Sequence, residues 1–553
     1  MKGIYRNCRP RAIRSVRRLS TDDWTGGRRL ATGDSSGDWT GDWRLDRRLA
    51  TGDRRLIAAL ALLSQLVSPC LAQTEQGYQP FHAAIHVHST VSNGQHTPEQ
   101  LAAFARARQV DVLVVTDSYL TRVRYGLPLF RWLIGREFNR PGVVDFGVAR
   151  YLQAMRDAEA AQPGLVVVPG VEVAPFYHWQ GYPFRDLKLL DFERHLLVIG
   201  MMDAVRLEKL PLIANPLSES LKPAPLDAVP GAALVAAGVA LFFFRRKKTI
   251  RLKLYKVSQR VRYRKSAVAL VALGALMLVS NYPFRRAPWE PYSGSAGIAP
   301  YQQLIDHVEQ HGGLVFWSYP EARFSNIRTG GATLVTEPHP RSLVESRNYH
   351  GFEALYGDRI SVTEPGNSWD EALQSFCRGE LIRPPWGITG LDFHDFKGGW
   401  FELTGGHTIL WMHRNTLADV LEALRLVRMY ADFQADRNRQ LRLDQWSVGD
   451  EAGSAISGEV LETPAPSLTV RCRLSRSSTD GAPIQLRLIR SGAVVAATTF
   501  PPDGGNFEFV EKQISATPMY YRLMIKQSNT AQIVSNPIFA VRSQVRRVHP
   551  AAR

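Results

Sequence analysis

The stretch FHAAIHVHST, residues 81–90, holds three histidines within seven positions. His86 and His88 alternate with Ile85 and Val87, and alternate side chains of a β-strand lie on the same face. The pattern therefore predicts that the two imidazoles share one face and that the apolar pair faces a core. Neighbouring neutral imidazoles are well suited to hold a metal ion. A metal site built on this pair needs further ligands from other parts of the chain.

Alternating strand and helix patterns extend from about residue 80 to residue 430. Short apolar runs predict strands at 83–88, 111–116, 165–169, 195–200, 313–317, 352–356 and 387–391. Amphipathic patterns predict helices at 97–108, 146–160, 299–311, 368–378 and 415–431. This order is typical of a parallel sheet or barrel, in which functional side chains gather where the strands end.

Side chains that bind metals recur where the predicted strands begin or end: His86, His88, Asp117, Glu172, His195, Asp392 and His394. A single aspartate after a strand is usually a cap or turn residue, and a single histidine usually lies on the surface or in a satisfied core position. The HxH pair of the first strand and the DxH pair at 392–394 are harder to explain in that way. Together they predict a divalent metal site of histidine and carboxylate ligands, which suits Mn, Fe or Zn.

The order of the motifs HxHS, TD, GxEV, a histidine before an apolar run, and GLDFH resembles the polymerase-and-histidinol-phosphatase (PHP) family over roughly residues 80–430. The resemblance implies a distorted seven-stranded (β/α) barrel and a metal-dependent phosphoesterase. It implies a first metal position formed by four residues: His86, His88, Glu172 and Asp392. Glu172 would bridge to a second metal beside His195, and His394 would belong to a third position.

Two positions depart from the family pattern. The second motif is Thr116-Asp117-Ser118, where the family has a histidine in third place, and Tyr319-Pro320 stands where the family has His-Pro. Serine and tyrosine are poor ligands for transition metals, so a reduced site with one or two ions is predicted. Asp117 is then expected to orient a ligand histidine from outside the coordination sphere. No side-chain nucleophile is predicted, and the resemblance implies attack on phosphorus by metal-bound water.

Two functions from different classes remain open. The first is a phosphoesterase with a reduced metal site, acting on a phosphorylated small molecule or a surface polymer. Three cations near the motif strands could bind phosphate, although ordinary surface charge is the commoner explanation of such residues: Arg122, Arg124 and Lys397. The second is a catalytically weakened domain that binds a metal or ligand as a sensor or assembly module. A metal-dependent amide or ester hydrolase on a related barrel is a further alternative.

The formal net charge of +17 is concentrated in two segments. Residues 1–55 are basic and of low complexity, with RRLATGD present twice, and residues 245–265 hold eleven cations and no acid. The rest of the chain is close to neutral, which argues against a nucleic-acid partner. Residues 1–53 are predicted to be disordered or an over-extended start. Residues 54–72 have the basic, apolar and small-residue regions of a signal peptide, with an uncleaved anchor as the alternative.

Two apolar segments, 229–244 and 266–282, flank the basic stretch 245–265. Each is about 17 residues long, at the short end for a helix that spans a membrane. The positive-inside rule places so basic a loop in the cytoplasm, so residues 227–284 are predicted to form a transmembrane hairpin. The soluble parts would then lie on the periplasmic side of the inner membrane. Buried core helices are the alternative.

The hairpin divides the predicted barrel into residues 78–226 and 285–435. From 457 to 541 apolar and polar residues alternate with period two between turn sequences, which is typical of a small sandwich of immunoglobulin-like type. Its expected role is to pack against the barrel or present the site, with carbohydrate or protein binding as the alternative. Cys377 and Cys472 are expected to be free thiols, although they could pair in an oxidising compartment. The predicted fold class is therefore α/β: a PHP-type (β/α)7 barrel with a membrane hairpin, followed by a β-sandwich.

Overall fold

The computed structural model describes residues 77–127, 130–131, 133–251, 255–329, 331–356, 360–396, 403–434, 441–477, 481–528 and 531–543. The predicted low-complexity segment 1–53, the predicted signal peptide 54–72 and Lys397 lie outside these residues. The predicted boundaries of the individual domains remain predictions.

The strands and helices are labelled in chain order. The strands are β1 (Gln79–Val87), β2 (Val112–Val115), β3 (Thr121–Gly126), β4 (Gly135–Arg140), β5 (Val166–Val173), β6 (His178–Gln180), β7 (Lys188–Leu190), β8 (Leu196–Ile199), β9 (Lys222–Pro223), β10 (Arg245–Arg251), β11 (Lys256–Arg262), β12 (Arg285–Arg286), β13 (Leu314–Trp317), β14 (Phe324–Thr329), β15 (Ala332–Thr336), β16 (Gly351–Leu355), β17 (Trp386–Thr389), β18 (Gly406–Met412), β19 (Met429–Gln434), β20 (Leu441–Gly449), β21 (Ser454–Ala455), β22 (Val460–Thr463), β23 (Leu468–Arg476), β24 (Ile484–Arg490), β25 (Ala493–Phe500), β26 (Gly504–Glu511), β27 (Met519–Ser528), β28 (Ala531–Ser535) and β29 (Ile538–Arg542). The helices are α1 (Pro98–Ala107), α2 (Val143–Phe146), α3 (Val148–Ala160), α4 (Ala204–Glu208), α5 (Val229–Phe243), α6 (Arg264–Asn281), α7 (Ala299–Gln310), α8 (Ser342–Glu345), α9 (Ser368–Cys377) and α10 (Leu417–Leu426).

A large mixed sheet organises the fold. Its strand order is β17-β16-β13-β8-β5-β2-β1-β18-β19-β28-β27-β24-β25. β1, β2 and β5 are parallel to one another, and so are β13, β16 and β17. β8 lies between the two groups and is antiparallel to both of its neighbours. All seven predicted strands are therefore present and adjacent, with buried apolar side chains and with helices such as α1, α3 and α7 packed against them.

The predicted distorted (β/α)7 barrel is present only in part, because the seven strands form a sheet that does not close into a barrel. β18 occupies the outer edge of β1 along Gln79–Ala83, which leaves only the last part of that edge for the segment after β17. That segment reaches β1 through the Leu391 N–H, which donates to the Ile85 carbonyl at 2.9 Å, and through an isolated parallel bridge between Val87 and Phe393. The sheet instead continues through β19 and β28 into the C-terminal strands.

The helix predicted over 415–431 ends earlier than its apolar pattern suggests. α10 stops at Leu426, and Val427 adopts a left-handed conformation with φ of 69°. β19 begins at Met429 and pairs with β18 and β28. The segment MYADFQ lies buried along its whole length in this strand, its two polar side chains included. A fully buried strand has no period that distinguishes it from a buried helix.

The C-terminal strands form two sheets that enclose a second core. One layer continues the large sheet through β28, β27, β24 and β25, and the other contains β21, β20, β23 and β26. Side chains from both layers share one apolar cluster that includes Val470, Leu486 and Leu523. The predicted two-layer β structure is present, and its immunoglobulin-like type remains a prediction. Cys377 and Cys472 are both free thiols.

The C-terminal layer is bonded directly to the α/β part. Asn536 accepts a hydrogen bond from the Gly387 N–H at 2.7 Å and donates to the Gly387 carbonyl at 3.0 Å. Arg522 of β27 contacts Asp370 of α9 through two nitrogens, each 2.7 Å from a carboxylate oxygen. The Asn536 contacts thus hold the first part of β17, the strand that precedes Asp392.

The apolar helices α5 and α6 pack closely against each other. A Cβ atom on Gly274 would lie 2.6 Å from the Gly231 carbonyl oxygen, so only glycine permits this approach. By length and composition alone, the segments Pro225–Phe243 and Arg264–Asn281 are long and apolar enough to cross a membrane, and most of their residues are exposed. The basic stretch predicted as a loop forms the antiparallel β10–β11 hairpin.

Candidate metal centre

The predicted metal ligands meet at one edge of the large sheet. His86 and His88 lie at the end of β1, and Glu172 lies near the end of β5. His195 directly precedes β8, which runs antiparallel to β5 with Glu172 opposite Leu197. Because the direction of β8 is reversed, its beginning lies at the edge where β1 and β5 end. A histidine before a strand thus joins ligands that follow strands.

Backbone irregularities, more than simple alternation, bring the ligands together. The β1–β2 register shifts between Ile85 and Val87, so His86 is an extra residue with φ of 70°. Tyr319 and Asp392 also have positive φ, at 43° and 46°. Non-glycine residues rarely adopt this conformation, and such strain is concentrated at functional sites. Three left-handed residues lie around this group of predicted ligands, which makes this edge of the sheet the candidate functional site.

Two imidazoles and one carboxylate form a compact donor group. The Nε2 atoms of His86 and His88 lie 3.7 Å and 3.4 Å from Asp392 Oδ1. One ligand atom from each of the three residues lies within 4.8 Å of the others. Both Nε2 atoms are buried and make no hydrogen bond within the described chain. Buried donors without hydrogen bonds, combined with a carboxylate, fit a divalent metal such as Mn, Fe or Zn.

Glu172 lies between this donor group and His195. Its Oε1 atom is 3.3 Å from His86 Nε2 and 2.7 Å from His195 Nδ1. Its Oε2 atom is 3.8 Å from His88 Nε2. One carboxylate therefore contacts three imidazoles and connects the donor group to His195, while its role as a ligand that bridges two ions remains a prediction.

Charges within the site shift several protonation equilibria. Burial lowers the pKa of His86, but Glu353 and Glu172 outweigh burial and raise this pKa well above its ordinary value. Burial also lowers the pKa of His195, yet Glu172 raises it to about 9. Burial raises the pKa of Glu172, but His195 and His86 bring it well below its usual range. A metal cation would replace the imidazole protons, because ligands bind in their deprotonated form.

Glu353 on β16 belongs to the site, although the sequence patterns did not single it out. This fully buried carboxylate lies 2.6 Å from His86 Nδ1 and accepts hydrogen bonds from Ser318 Oγ at 3.0 Å and from the Tyr319 N–H at 3.1 Å. A Cβ atom on Gly390 would overlap with this carboxylate, so glycine there leaves room for it. Glu353 orients His86 so that Nε2 faces Asp392, as outer-shell carboxylates do for ligand histidines.

His394 and Asp117 border the donor group. The His394 ring stacks on His88 with centroids 4.3 Å apart, and its Nδ1 lies 2.8 Å from the Asp392 carbonyl oxygen. Asp117 accepts hydrogen bonds from the Ser89 N–H at 2.7 Å and from Ser92 Oγ at 2.5 Å. Ser92 Oγ lies 3.4 Å from His88 Nδ1. Asp117 thus reaches a ligand histidine through Ser92 and holds the loop that follows β1.

The two positions that depart from the family pattern also lie at the site. Ser118 Oγ is 3.4 Å from Glu172 Oε2. The Tyr319 ring stacks on His86 with centroids 5.2 Å apart, and the side chain is buried. A histidine at either place would therefore be close to the present ligands.

The predicted phosphate-binding arginines already have acidic partners. Arg122 and Arg124 lie on β3, where they contact Glu137 of β4 at 3.5 Å and 2.9 Å. Arg122 also lies 3.4 Å from Asp145. Their phosphate-binding role remains a prediction, because a phosphate would have to replace these carboxylates as the partner of each arginine. Lys397 lies outside the described part of the chain.

Replacing Glu353 with glutamine should weaken metal binding about 10- to 100-fold, the usual effect of losing an outer-shell carboxylate. Glutamine keeps the size of the side chain but removes the charge that orients His86. Competition with a chromophoric chelator measures the affinity. Glu371→Gln is the matched control, because Glu371 lies exposed on α9 and contacts Arg341. Equal affinity in the two variants would remove Glu353 from the site.

No protein-family model and no curated protein sequence matches the chain. Among solved structures, it is similar to a two-domain protein from Bacteroides vulgatus that contains a predicted PHP-like metal-dependent phosphoesterase. The two sequences are 13% identical, the match covers 82% of this chain and 92% of that one, and the TM-score is 0.32. A candidate metal-dependent phosphoesterase from Bifidobacterium adolescentis has 16% identity, coverage of 63% and 96%, and a TM-score of 0.24. An amidohydrolase from Chromobacterium violaceum has 16% identity, coverage of 57% and 88%, and a TM-score of 0.22. These values are too low to carry an argument, so function is inferred from the side chains themselves.

Proposed function

We propose that the chain is a metal-dependent phosphoesterase of PHP type with a reduced metal site. One observation carries the proposal: two buried imidazole nitrogens without hydrogen bonds face the Asp392 carboxylate. The motif order around these residues resembles the PHP family. The substrate would be a phosphorylated small molecule or a surface polymer.

The residues divide into ligands and supports. His86, His88 and Asp392 would hold the first ion, and Glu172 would extend the site towards His195. The bound metal supplies Lewis acidity, which lowers the pKa of water and offsets the charge that develops on phosphoryl oxygens. Glu353 fixes the His86 ring, while the buried walls of the site strengthen these charge interactions.

Metal content and turnover of an aryl phosphate test this proposal. The purified chain should retain one or two Mn, Fe or Zn ions. It should hydrolyse 4-nitrophenyl phosphate slowly, lose that activity after chelation and regain it when the ion returns. Turnover that survives complete removal of the metal, or a chain that holds no metal, would contradict the proposal.

A second candidate function is a weakened domain that senses or binds a metal or ligand. The observation in its favour is that Ser118 and Tyr319 lie beside Glu172 and His86, where the family supplies imidazoles. This function predicts bound metal without turnover of any phosphate ester, whereas the phosphoesterase predicts both.

Introducing histidines at positions 118 and 319 distinguishes the phosphoesterase from the sensor. The double variant Ser118→His, Tyr319→His should hold more metal and raise turnover about tenfold or more, because another clamp on the phosphoryl oxygens lowers the barrier and each 1.36 kcal/mol is tenfold in rate. Elemental analysis and initial rates measure the two effects. Unchanged metal content would mean that these side chains do not face the ions.

We further propose that α5 and α6 anchor the chain in the inner membrane, with the catalytic part outside the cytoplasm. Their length and apolar composition support this placement, as do their mostly exposed side chains and the basic β10–β11 hairpin between them. Extraction of membranes with alkaline carbonate should leave the chain in the pellet, and release into the supernatant would contradict anchoring.

A further inference from the structure

The β10–β11 hairpin presents a cationic face, defined here as Arg245, Lys247, Arg260 and Arg262. The strand register places Arg245 opposite Arg262 and Lys247 opposite Arg260. Directly opposed residues and residues two apart along a strand share one face of a sheet. All four side chains are exposed. The hairpin therefore concentrates these two cross-strand pairs of like charge on one side, and the register places Arg251 opposite Lys256 further along the same face.

This arrangement is costly without an anion. Like charges directly opposite each other destabilise a strand pair, and an isolated two-stranded hairpin is marginal in water. Residues 245–265 contain no acid. Among the described residues, no ion pair joins a carboxylate to any of these four cations. An anion bound at the cationic face would therefore relieve a repulsion that no carboxylate of the described residues offsets.

The opposite face of the hairpin is different. Arg246 lies opposite Val261, and Lys248 lies opposite Gln259. Each cation there faces an uncharged residue, and the Arg246 guanidinium is also 3.4 Å from the Tyr263 hydroxyl. The paired cations are thus confined to one face, so the hairpin offers a directional site.

The position of the hairpin between α5 and α6 bears on the class of anion that it would bind. β10 begins two residues after α5 ends, and β11 ends two residues before α6 begins. If both helices span the membrane, the hairpin lies at the level of the lipid headgroups. We propose that the cationic face binds the phosphate groups of anionic phospholipids, which attract basic side chains next to a membrane helix. This inference rests on the membrane anchoring proposed above.

Hydrogen exchange in lipid nanodiscs tests the inference on the full chain. Backbone amides of β10 and β11 should exchange about tenfold more slowly in discs that contain phosphatidylglycerol than in discs of phosphatidylcholine alone, since about 1.4 kcal/mol of added stability is tenfold. Inorganic phosphate at millimolar concentration should not protect the amides in phosphatidylcholine discs. Protection by free phosphate, or equal exchange in both lipids, would overturn the inference.

Two double variants that each remove two positive charges test whether lipid-dependent protection depends on which face of the hairpin carries the cations. Lys247→Gln with Arg260→Gln removes half of the cationic face and should abolish most of the lipid-dependent protection. Arg246→Gln with Lys248→Gln removes two cations from the opposite face and should retain it. Equal losses would overturn the directional site. A chain that fails to enter nanodiscs would instead overturn the anchoring, so the two failures are distinguishable.

Discussion

Replacing His86 with alanine should abolish the metal-dependent hydrolysis of phosphate esters, with a fall in turnover of about a thousandfold or more. The change removes an imidazole whose Nε2 lies 3.3 Å from Glu172 and 3.7 Å from Asp392. It also leaves the Glu353 carboxylate buried without its histidine partner. A bound metal supplies several kcal/mol of transition-state stabilisation, and each 1.36 kcal/mol is tenfold in rate. Initial rates and elemental analysis of the same preparations check the prediction.

The matched control is His82→Ala. His82 lies four residues earlier on β1, and its ring meets His407 edge to face at 5.2 Å, away from the ligands. The control should therefore bind metal and hydrolyse the aryl phosphate at nearly the wild-type rate. Equal losses in both variants would point to damage to β1, and full activity of His86→Ala would exclude this residue as a ligand.

The α/β part of the fold was predictable because its strands are short apolar runs bounded by turns. The run VDVLVV contains β2 and the run GLVVV leads into β5, and the residues of both strands are buried. The sequence did not predict that the sheet stays open, since this depends on which strand pairs with the outer edge of β1. β18 takes most of that edge by antiparallel pairing, and partner choice between strands distant in sequence is set by tertiary packing.

The candidate site was predictable to the extent that its ligands form short motifs. The HxH and DxH pairs lie close together, as expected. Simple strand alternation does not bring them together, because His86 lies at a register shift and both His86 and Asp392 have a left-handed backbone. Such strain is imposed by surrounding structure and leaves no pattern in the sequence. Glu353 left one signal, an acid inside the apolar run GFEALY, because a buried carboxylate needs a partner.

Breaking the buried ion pair between Arg522 and Asp370 should destabilise the protein by about 3–5 kcal/mol, since removing one partner leaves an uncompensated buried charge. Both side chains are fully buried, and they join β27 to α9. In Arg522→Met the carboxylate keeps its hydrogen bonds from the Tyr520 hydroxyl at 2.8 Å and from the Gly366 N–H at 2.8 Å, but it loses the countercharge. Urea unfolding followed by tryptophan fluorescence measures the effect.

Two further variants show whether charge or packing is responsible. Arg378→Met breaks the exposed pair with Glu380 and should change the free energy of unfolding far less than Arg522→Met does, because water and salt screen surface pairs. The double variant Asp370→Leu, Arg522→Met removes both charges and should be more stable than Arg522→Met alone, because well-packed apolar residues often replace a buried pair without loss. A double variant as unstable as Arg522→Met would mean that packing around Trp369, whose ring lies 4.7 Å from the Arg522 guanidinium, dominates. A large loss of stability in Arg522→Met would show that the C-terminal strands stabilise the α/β part that carries the candidate metal site, since Arg522 lies on β27 and Asp370 on α9.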